Sequence, residues 1–287
     1  MGMVIQDNSD QQEFWSGAQG QAWLRHAHVF DRLFSTVDGL LLDAALPAPG
    51  EHVLDMGSGS GATARVFAAL VAPGGTVQGL DISPLMVERA TRISRDEGIA
   101  NVTFLEGDAA TTELPRAAYD LLVSRFGAMF FADPVAGYRG LRGSLKPGGR
   151  VVLACWGGMA SNPMFGMTTE LGARHFGPQE KGDPHAPGPM AFADIGRVET
   201  ILHDAGYDQP RGRAIDVNLC HPGGVEAALP VMTELGPLGR MMREADADDA
   251  TRRIVADELR NQLAQFVTSD GALRLPARIN LFTARRP

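Results

Sequence analysis

The sequence predicts an α/β protein built on a parallel sheet with helices on both of its faces. Short apolar segments typical of buried strands alternate with segments of helical period, and the crossovers between successive strands are long enough to hold a helix. The composition agrees, since 44% of the 287 residues are hydrophobic and 21% are charged. A chain of this length can bury a core without disulfides or a structural metal.

The first predicted element is a helical segment over residues 10–46, where apolar and aromatic residues recur at steps of three and four. Residues 47–50, with two prolines and a glycine, end it. Strands are then predicted at 52–56, 76–80, 101–105, 119–123 and 150–155. Helices are predicted between them at 62–71, 84–97 and 134–145, the second of which begins with Ser83 as N-cap and Pro84 at its first position.

The sequence changes in character after Trp156. Residues 157–190 are rich in Gly, Pro and Met and show little periodicity, which is typical of a functional lid or of disorder. Helical spacing returns over 192–205, two helices are predicted within 223–266, and 273–283 alternates as a final strand. The predicted units are a helical N-terminal cover (1–48), a core (49–158), a lid insertion with helices (159–240), and a C-terminal helix and strand that complete the sheet (241–287).

Charge and cysteine content narrow the class of partner. A net charge of −8 and a pI near 5.4 argue against a nucleic-acid backbone as the main partner. Cys155 and Cys220 lack CxxC partners, so free thiols are expected and no metal site. Residues 1–8 do not read as a secretory signal, and no apolar run reaches about 18 residues. We therefore expect a cytoplasmic protein without membrane insertion.

The strongest functional signal lies at residues 53–61. A buried strand ends at Asp55, and three glycines then turn the chain into a helix: Gly57, Gly59 and Gly61. The next strand ends at Asp81, 20 residues after the last of these glycines, where a carboxylate can accept both hydroxyl hydrogens of an adenosine ribose. The glycines also satisfy the relaxed dinucleotide fingerprint, so the pattern alone leaves two cofactors open.

The chain from about residue 50 to 156 resembles the class I S-adenosylmethionine (SAM)-dependent methyltransferases, in particular the branch similar to ubiquinone/menaquinone-biosynthesis methyltransferases. Five segments carry the resemblance: VLDMGSGSG (53–61), GLDISPLM (79–86), EGDA (106–109), YDLLVSRF (119–126) and LKPGG (145–149). It implies a doubly wound, mostly parallel, seven-stranded Rossmann-like sheet and methyl transfer from SAM. An NAD-linked oxidoreductase is disfavoured, because none of the three tyrosines has a lysine four residues later. A SAM-binding sensor or partner subunit without turnover stays open.

The resemblance also implies a cofactor site whose residues follow the ends of the first four strands. They are Asp55 and Gly57 at the methionine end, Gly59 and Gly61 where the backbone approaches the ligand, Asp81 at the ribose, Ile82, Met86, Asp108 and Ala109 around the adenine, and Ser124 near the sulfonium. The Asp108 assignment has independent support, because an ionised carboxylate only accepts hydrogen bonds and so suits an amino donor.

The acceptor site is expected outside the core. Methyl transfer from a sulfonium is an in-line displacement, so the enzyme mainly aligns the reacting atoms and excludes water. The N-terminal helix and the 157–190 insertion are aromatic and Met-rich, which suits an apolar cover over a small-molecule acceptor. The catalytic candidates are His26, as base or substrate contact, and Arg125, as a contact to a substrate carboxylate or phenolate. The atom methylated (O, N, C or S) and a homodimeric state are left open.

Overall fold

Seven strands form one sheet in the computed structural model, which describes residues 8–180 and 182–287. The strands are β1 (His52–Met56), β2 (Thr76–Asp81), β3 (Val102–Glu106), β4 (Tyr119–Arg125), β5 (Leu145–Trp156), β6 (Asp208–His221) and β7 (Leu273–Arg285). Their order is β3-β2-β1-β4-β5-β7-β6, and β7 runs antiparallel to both of its neighbours. The doubly wound, mostly parallel sheet predicted from the sequence is therefore confirmed.

Twelve α-helices flank or cover this sheet within the described residues. They are α1 (Ser9–Ser16), α2 (Ala18–Arg25), α3 (Ala27–Leu33), α4 (Ser35–Ala45), α5 (Ala62–Val71), α6 (Pro84–Asp96), α7 (Pro134–Arg142), α8 (Pro163–Phe176), α9 (Ile195–Asp204), α10 (Gly224–Glu234), α11 (Gly236–Glu244) and α12 (Asp249–Leu263). Among the described residues, no helix combines the length and apolarity needed to cross a membrane.

The N-terminal segment differs from its prediction. Instead of one helix over 10–46, the chain forms four short helices that break at Gly17, His26 and Phe34. Gly17 is extended, with φ −88° and ψ −154°, and the other two breaks have ψ near zero. Apolar spacing indicates which side chains are buried, but it does not show that the axis bends. These bends allow the segment to wrap around the carboxyl ends of the strands.

The region after β5 also holds more regular structure than predicted. Residues 163–176 of the expected lid form α8, whose residues Phe165, Thr168 and Leu171 are buried at helical spacing. The segment 223–266 contains three α-helices rather than two. β6 was not located from the sequence at all, because it is an edge strand in which only Leu219 and His221 are buried.

The core lies where the central strands are covered on both sides. Leu54 of β1, Leu122 of β4 and Leu153 of β5 have no exposed surface. Sequential strands run outward in opposite directions from the β1–β4 pair, so a crevice forms at the carboxyl ends of these two strands. The fold thus predicts a ligand site at this switch point.

Candidate active site

A cavity of about 610 Å³ lies at this switch point. Its volume is in the range of about 300–1,000 Å³ that is usual for small-molecule sites. The loops after β1, β2, β3 and β4 line one part of it. The N-terminal helices, residues 187–190 and the α10–α11 region line the rest. Core and predicted cover therefore meet around one space.

The glycine turn after β1 forms part of the wall, and its three glycines have positive φ values of 67°, 54° and 79°. A Cβ atom on Gly57 would lie 2.7 Å from the Gly127 Cα, and one on Gly61 would lie 2.6 Å from the Phe104 ring. A Cβ on Gly59 would meet nothing within 4 Å. Gly57 and Gly61 thus permit close packing, whereas Gly59 leaves open space at the cavity wall.

Two backbone N–H groups hold the Asp81 carboxylate in place. Its Oδ2 accepts the N–H of Gly59 at 2.7 Å, and its Oδ1 accepts the N–H of Ser83 at 2.9 Å. Burial raises the pKa of this carboxyl, and the two backbone hydrogen bonds oppose that rise. Each oxygen keeps capacity for a further donor, so the group can accept two hydroxyl hydrogens at the cavity.

The wall beyond Asp81 contains the four residues expected around an adenine: Ile82, Met86, Asp108 and Ala109. The Asp108 carboxylate accepts the N–H of Ala110 at 2.9 Å and is also bonded by Asn8. Asn8 lines the cavity and was not among the predicted site residues. It precedes the first helix in a polar segment, where no sequence pattern indicated a function.

Three predicted cofactor residues lie beneath this wall rather than in it: Gly61, which lies against the Phe104 ring, and also Asp55 and Ser124. Asp55 is 1% exposed, and neither of its carboxylate oxygens accepts a hydrogen bond of ordinary geometry, although the nearby Ala64 N–H acts to lower its pKa. Burial raises its pKa to about 7, and the nearby Arg125 opposes that rise. Ser124 is fully buried and donates to the Met56 carbonyl at 2.7 Å. Neither Asp55 nor Ser124 lines the cavity, so the structure does not support a direct contact between either side chain and a ligand.

Arg125 reaches the cavity as part of an ion cluster. Its Nη1 lies 2.7 Å from Oδ2 of Asp38, and its Nη2 lies 3.8 Å from Oδ1 of Asp31. Burial raises the pKa of both aspartates, and Arg125 opposes the rise. Asp38 also accepts a hydrogen bond from Thr63, whereas Asp31 lines the cavity and is its more exposed partner. Because two acids already pair with Arg125, its charge is largely satisfied.

His26 lies away from the cavity lining. Its Nε2 is 2.6 Å from Oε2 of Glu234, and the same carboxylate pairs with Arg25. These contacts join the end of α2 to the end of α10. In the structure His26 therefore links two helices of the cover. Its ring does not reach the cavity, where a catalytic base would act.

The remaining wall is aromatic and rich in methionine. Trp23 stacks on Phe30 with centroids 3.8 Å apart, and Phe126 stacks on Trp156 at 4.1 Å. Further lining residues of this kind are Phe14, Trp15, Phe34, Phe130, Phe131, Phe165, Met129, Met159, Met164, Met190 and Met232. Among the described residues, the carboxylates that line the cavity are Asp31, Asp81 and Asp108, and no His, Cys, Tyr or Lys joins them.

Comparison with known proteins matches residues 47–173 to the family described as "Methyltransferase domain". The aklanonic acid methyltransferase DauC of Streptomyces sp. (strain C5) is 33% identical over 46% of this chain and 61% of its own length. The nocamycin O-methyltransferase of Saccharothrix syringae is 36% identical over 44% and 49%, respectively. The matches thus span about half to three-fifths of these relatives.

Solved structures extend the likeness of the fold to most of the chain. Phosphoethanolamine N-methyltransferase 2 of Haemonchus contortus, in complex with S-adenosyl-L-methionine, has a TM-score of 0.58 and 18% identity over 96% of this chain and 60% of its own. The YcgJ protein of Bacillus subtilis has a TM-score of 0.53 and 19% identity over 87% and 98%. The family match over residues 47–173 confirms the predicted resemblance to methyltransferases, and the solved structures, together with the sheet order, confirm the predicted Rossmann-like fold.

Proposed function

We propose that this protein binds SAM against the loops after β1, β2 and β3 and transfers its methyl group to a small molecule held in the aromatic part of the same cavity. One observation carries the proposal. A single cavity joins the glycine turn, Asp81 and Asp108 to a chamber walled by stacked aromatic rings and methionines.

The residues present fit the cofactor. Gly59 leaves open space beside the turn, so a ligand can approach the backbone there. Asp81 would accept the ribose hydroxyls, and Asp108 the amino group of the adenine, while Ile82 and Met86 contribute apolar surface beside the base. Bound SAM supplies an electrophilic methyl group on a cationic sulfur. The chain's own part is to orient this group and keep water away.

The chamber suits an apolar acceptor that contains rings. Aromatic side chains pack on flat molecules, and methionine adapts to irregular ones. The names of the relatives, aklanonic acid methyltransferase, nocamycin O-methyltransferase and demethylmenaquinone methyltransferase, are compatible with a small-molecule acceptor.

Asp31 is the lining carboxylate that the cofactor does not require. Its pKa is raised by burial, so it holds a proton more readily than an ordinary aspartate. We therefore assign it, in place of His26, as the group that accepts a proton when the acceptor must lose one.

Calorimetric titration with SAM, S-adenosylhomocysteine and NADH tests the proposal. The first two ligands should bind and NADH should bind more weakly, and release of S-adenosylhomocysteine from SAM should follow addition of a suitable ring-containing acceptor. In Gly59→Val the side chain should enter the cavity and abolish SAM binding, while circular dichroism shows a folded core. Tighter binding of NADH than of SAM, or a folded Gly59→Val that still binds SAM, would contradict the proposed site.

A further inference from the structure

Asn8 joins three segments around the proposed adenine end of the cavity. Its Nδ2 donates to Oδ1 of Asp108 at 2.7 Å, and its backbone N–H donates to Oδ2 of Asp108 at 3.1 Å. Its Oδ1 accepts the N–H of Ala132 at 2.8 Å. The segment before α1, the loop after β3 and the loop after β4 therefore meet at one side chain, which is 7% exposed.

The position of Asn8 makes these contacts unusual. It is the residue before the first turn of α1, where asparagine commonly caps the helix with its side chain. Here the side chain makes no capping bond and reaches instead to a residue 100 positions away in the chain. The amide orientation is defined, because Ala132 presents a donor to one end of the amide and Asp108 presents an acceptor to the other.

The Asp108 carboxylate keeps capacity for a ligand after these bonds form. A carboxylate offers about four accepting positions. The described contacts use three of them: two on Oδ1, from Asn8 and Ala110, and one on Oδ2, from Asn8. One position remains on Oδ2, and the carboxylate lines the cavity. Asn8 thus fixes the orientation of the carboxylate and leaves one of its accepting positions for a ligand.

We infer that Asn8 is a positioning residue that orients Asp108 toward the amino group of the adenine and so sets the preference of the site for adenine over a purine with oxygen at that position. The inference rests on the proposed SAM site. An amino group donates to a carboxylate, whereas a carbonyl oxygen repels it. A carboxylate that can rotate discriminates less well between the amino group and the carbonyl oxygen than one held by three fixed donors, here two from Asn8 and one from Ala110.

The preference can be measured without knowing the methyl acceptor. The two probes are S-adenosylhomocysteine and S-inosylhomocysteine, which differ in having an amino group or an oxygen on the purine ring. Calorimetry should show that the wild-type protein binds the adenine compound at least about tenfold more tightly, since it gains a hydrogen bond to a charged group. In Asn8→Ala this ratio should shrink by roughly threefold or more, chiefly through weaker binding of the adenine compound.

Two further variants make the result specific. Asn8→Asp keeps the shape of the side chain but places a second carboxylate against Asp108, so the ratio should fall at least as far as in Asn8→Ala. Gln12→Ala changes an exposed side chain of the same helix and should leave the ratio unchanged. Circular dichroism should show that all three variants are folded.

An unchanged ratio in both Asn8 variants would overturn the inference and leave the proposed function intact, as would a wild-type protein with no preference between the two compounds. Binding of neither compound by the wild-type protein would overturn the proposed function and this inference together.

Discussion

Replacing Asp55 with asparagine should make the folded protein more stable at neutral and alkaline pH. The wild-type carboxyl is buried beneath the glycine turn without a hydrogen bond of ordinary geometry, and burial raises its pKa from 3.8 to about 7 against the opposing effects of Arg125 and the Ala64 N–H. In the unfolded chain the same group ionises at its ordinary value. Between these two pH values the folded state therefore holds a proton that the unfolded state has released.

The sign and size of the effect follow from this difference in protonation. The stability associated with Asp55 is fully present below about pH 4, falls as the pH rises, and is lost once the pH passes about 7. Each pH unit across this range corresponds to about 1.4 kcal/mol, so the full loss is on the order of 4 kcal/mol. Asp38 and Asp81 contribute to the raised pKa, and some of the loss is shared with them. We expect a gain of at least about 2 kcal/mol in the variant at about pH 8.

Urea unfolding followed by circular dichroism tests this prediction at several values between about pH 5 and pH 8. The difference in unfolding free energy between Asp55→Asn and wild type isolates this group from the other buried carboxyls. It should grow with rising pH for Asp55→Asn, and the matched change Asp43→Asn, at an exposed position of α4, is the control for the loss of one carboxylate from the surface. A flat difference for Asp55→Asn would refute the reasoning, because it would mean that the folded and unfolded chains release this proton at the same pH.

Three further predictions concern the proposed site. Asp81→Asn keeps an accepting oxygen but loses the charge that strengthens its bonds, so affinity for S-adenosylhomocysteine should fall roughly tenfold to a hundredfold in calorimetry. Asp120→Asn is the control, because the wild-type Asp120 carboxylate pairs with Lys146 at 2.8 Å and does not line the cavity. Near-normal binding of S-adenosylhomocysteine by Asp81→Asn would contradict the ribose role. His26→Gln should lower the thermal midpoint by a few degrees and spare turnover, whereas Asp31→Asn should lower kcat with little change in SAM affinity. Loss of turnover in His26→Gln with intact SAM binding would indicate that His26, and not Asp31, is the catalytic base.

The sequence predicted the first half of the sheet closely. The bounds of β1 and α5 agree with their predictions to the residue, because a buried apolar strand, a glycine turn and a helix of regular period follow one another there. β6 escaped prediction because an edge strand carries a weak apolar alternation, and Pro210 and Gly212 near its start read as a turn. The bends of the N-terminal segment arise from packing around the cavity, which spacing along the chain does not encode.

Some residues of the proposed site could be predicted from the sequence, and others could not. Asp81 and Asp108 were predicted because each ends or follows a parallel strand, and these ends converge at the switch point. Asn8 and Asp31 were missed because they belong to the cover, whose path over the strand ends depends on tertiary contacts. The same limit explains His26, a residue of the predicted cover that was a candidate base or substrate contact. Its neighbour Glu234 is 208 residues away in the chain and gave no signal in the sequence.

The distribution of indole rings has a practical consequence. The chain contains three tryptophans, and all three line the cavity: Trp15, Trp23 and Trp156. Ultraviolet emission of the native protein thus originates at the walls of this one chamber, with no background from indoles elsewhere. A flat compound that enters should quench or shift that emission as it displaces water from the rings. Unlabelled protein can therefore serve as its own optical sensor in a search through collections of ring compounds for the missing acceptor.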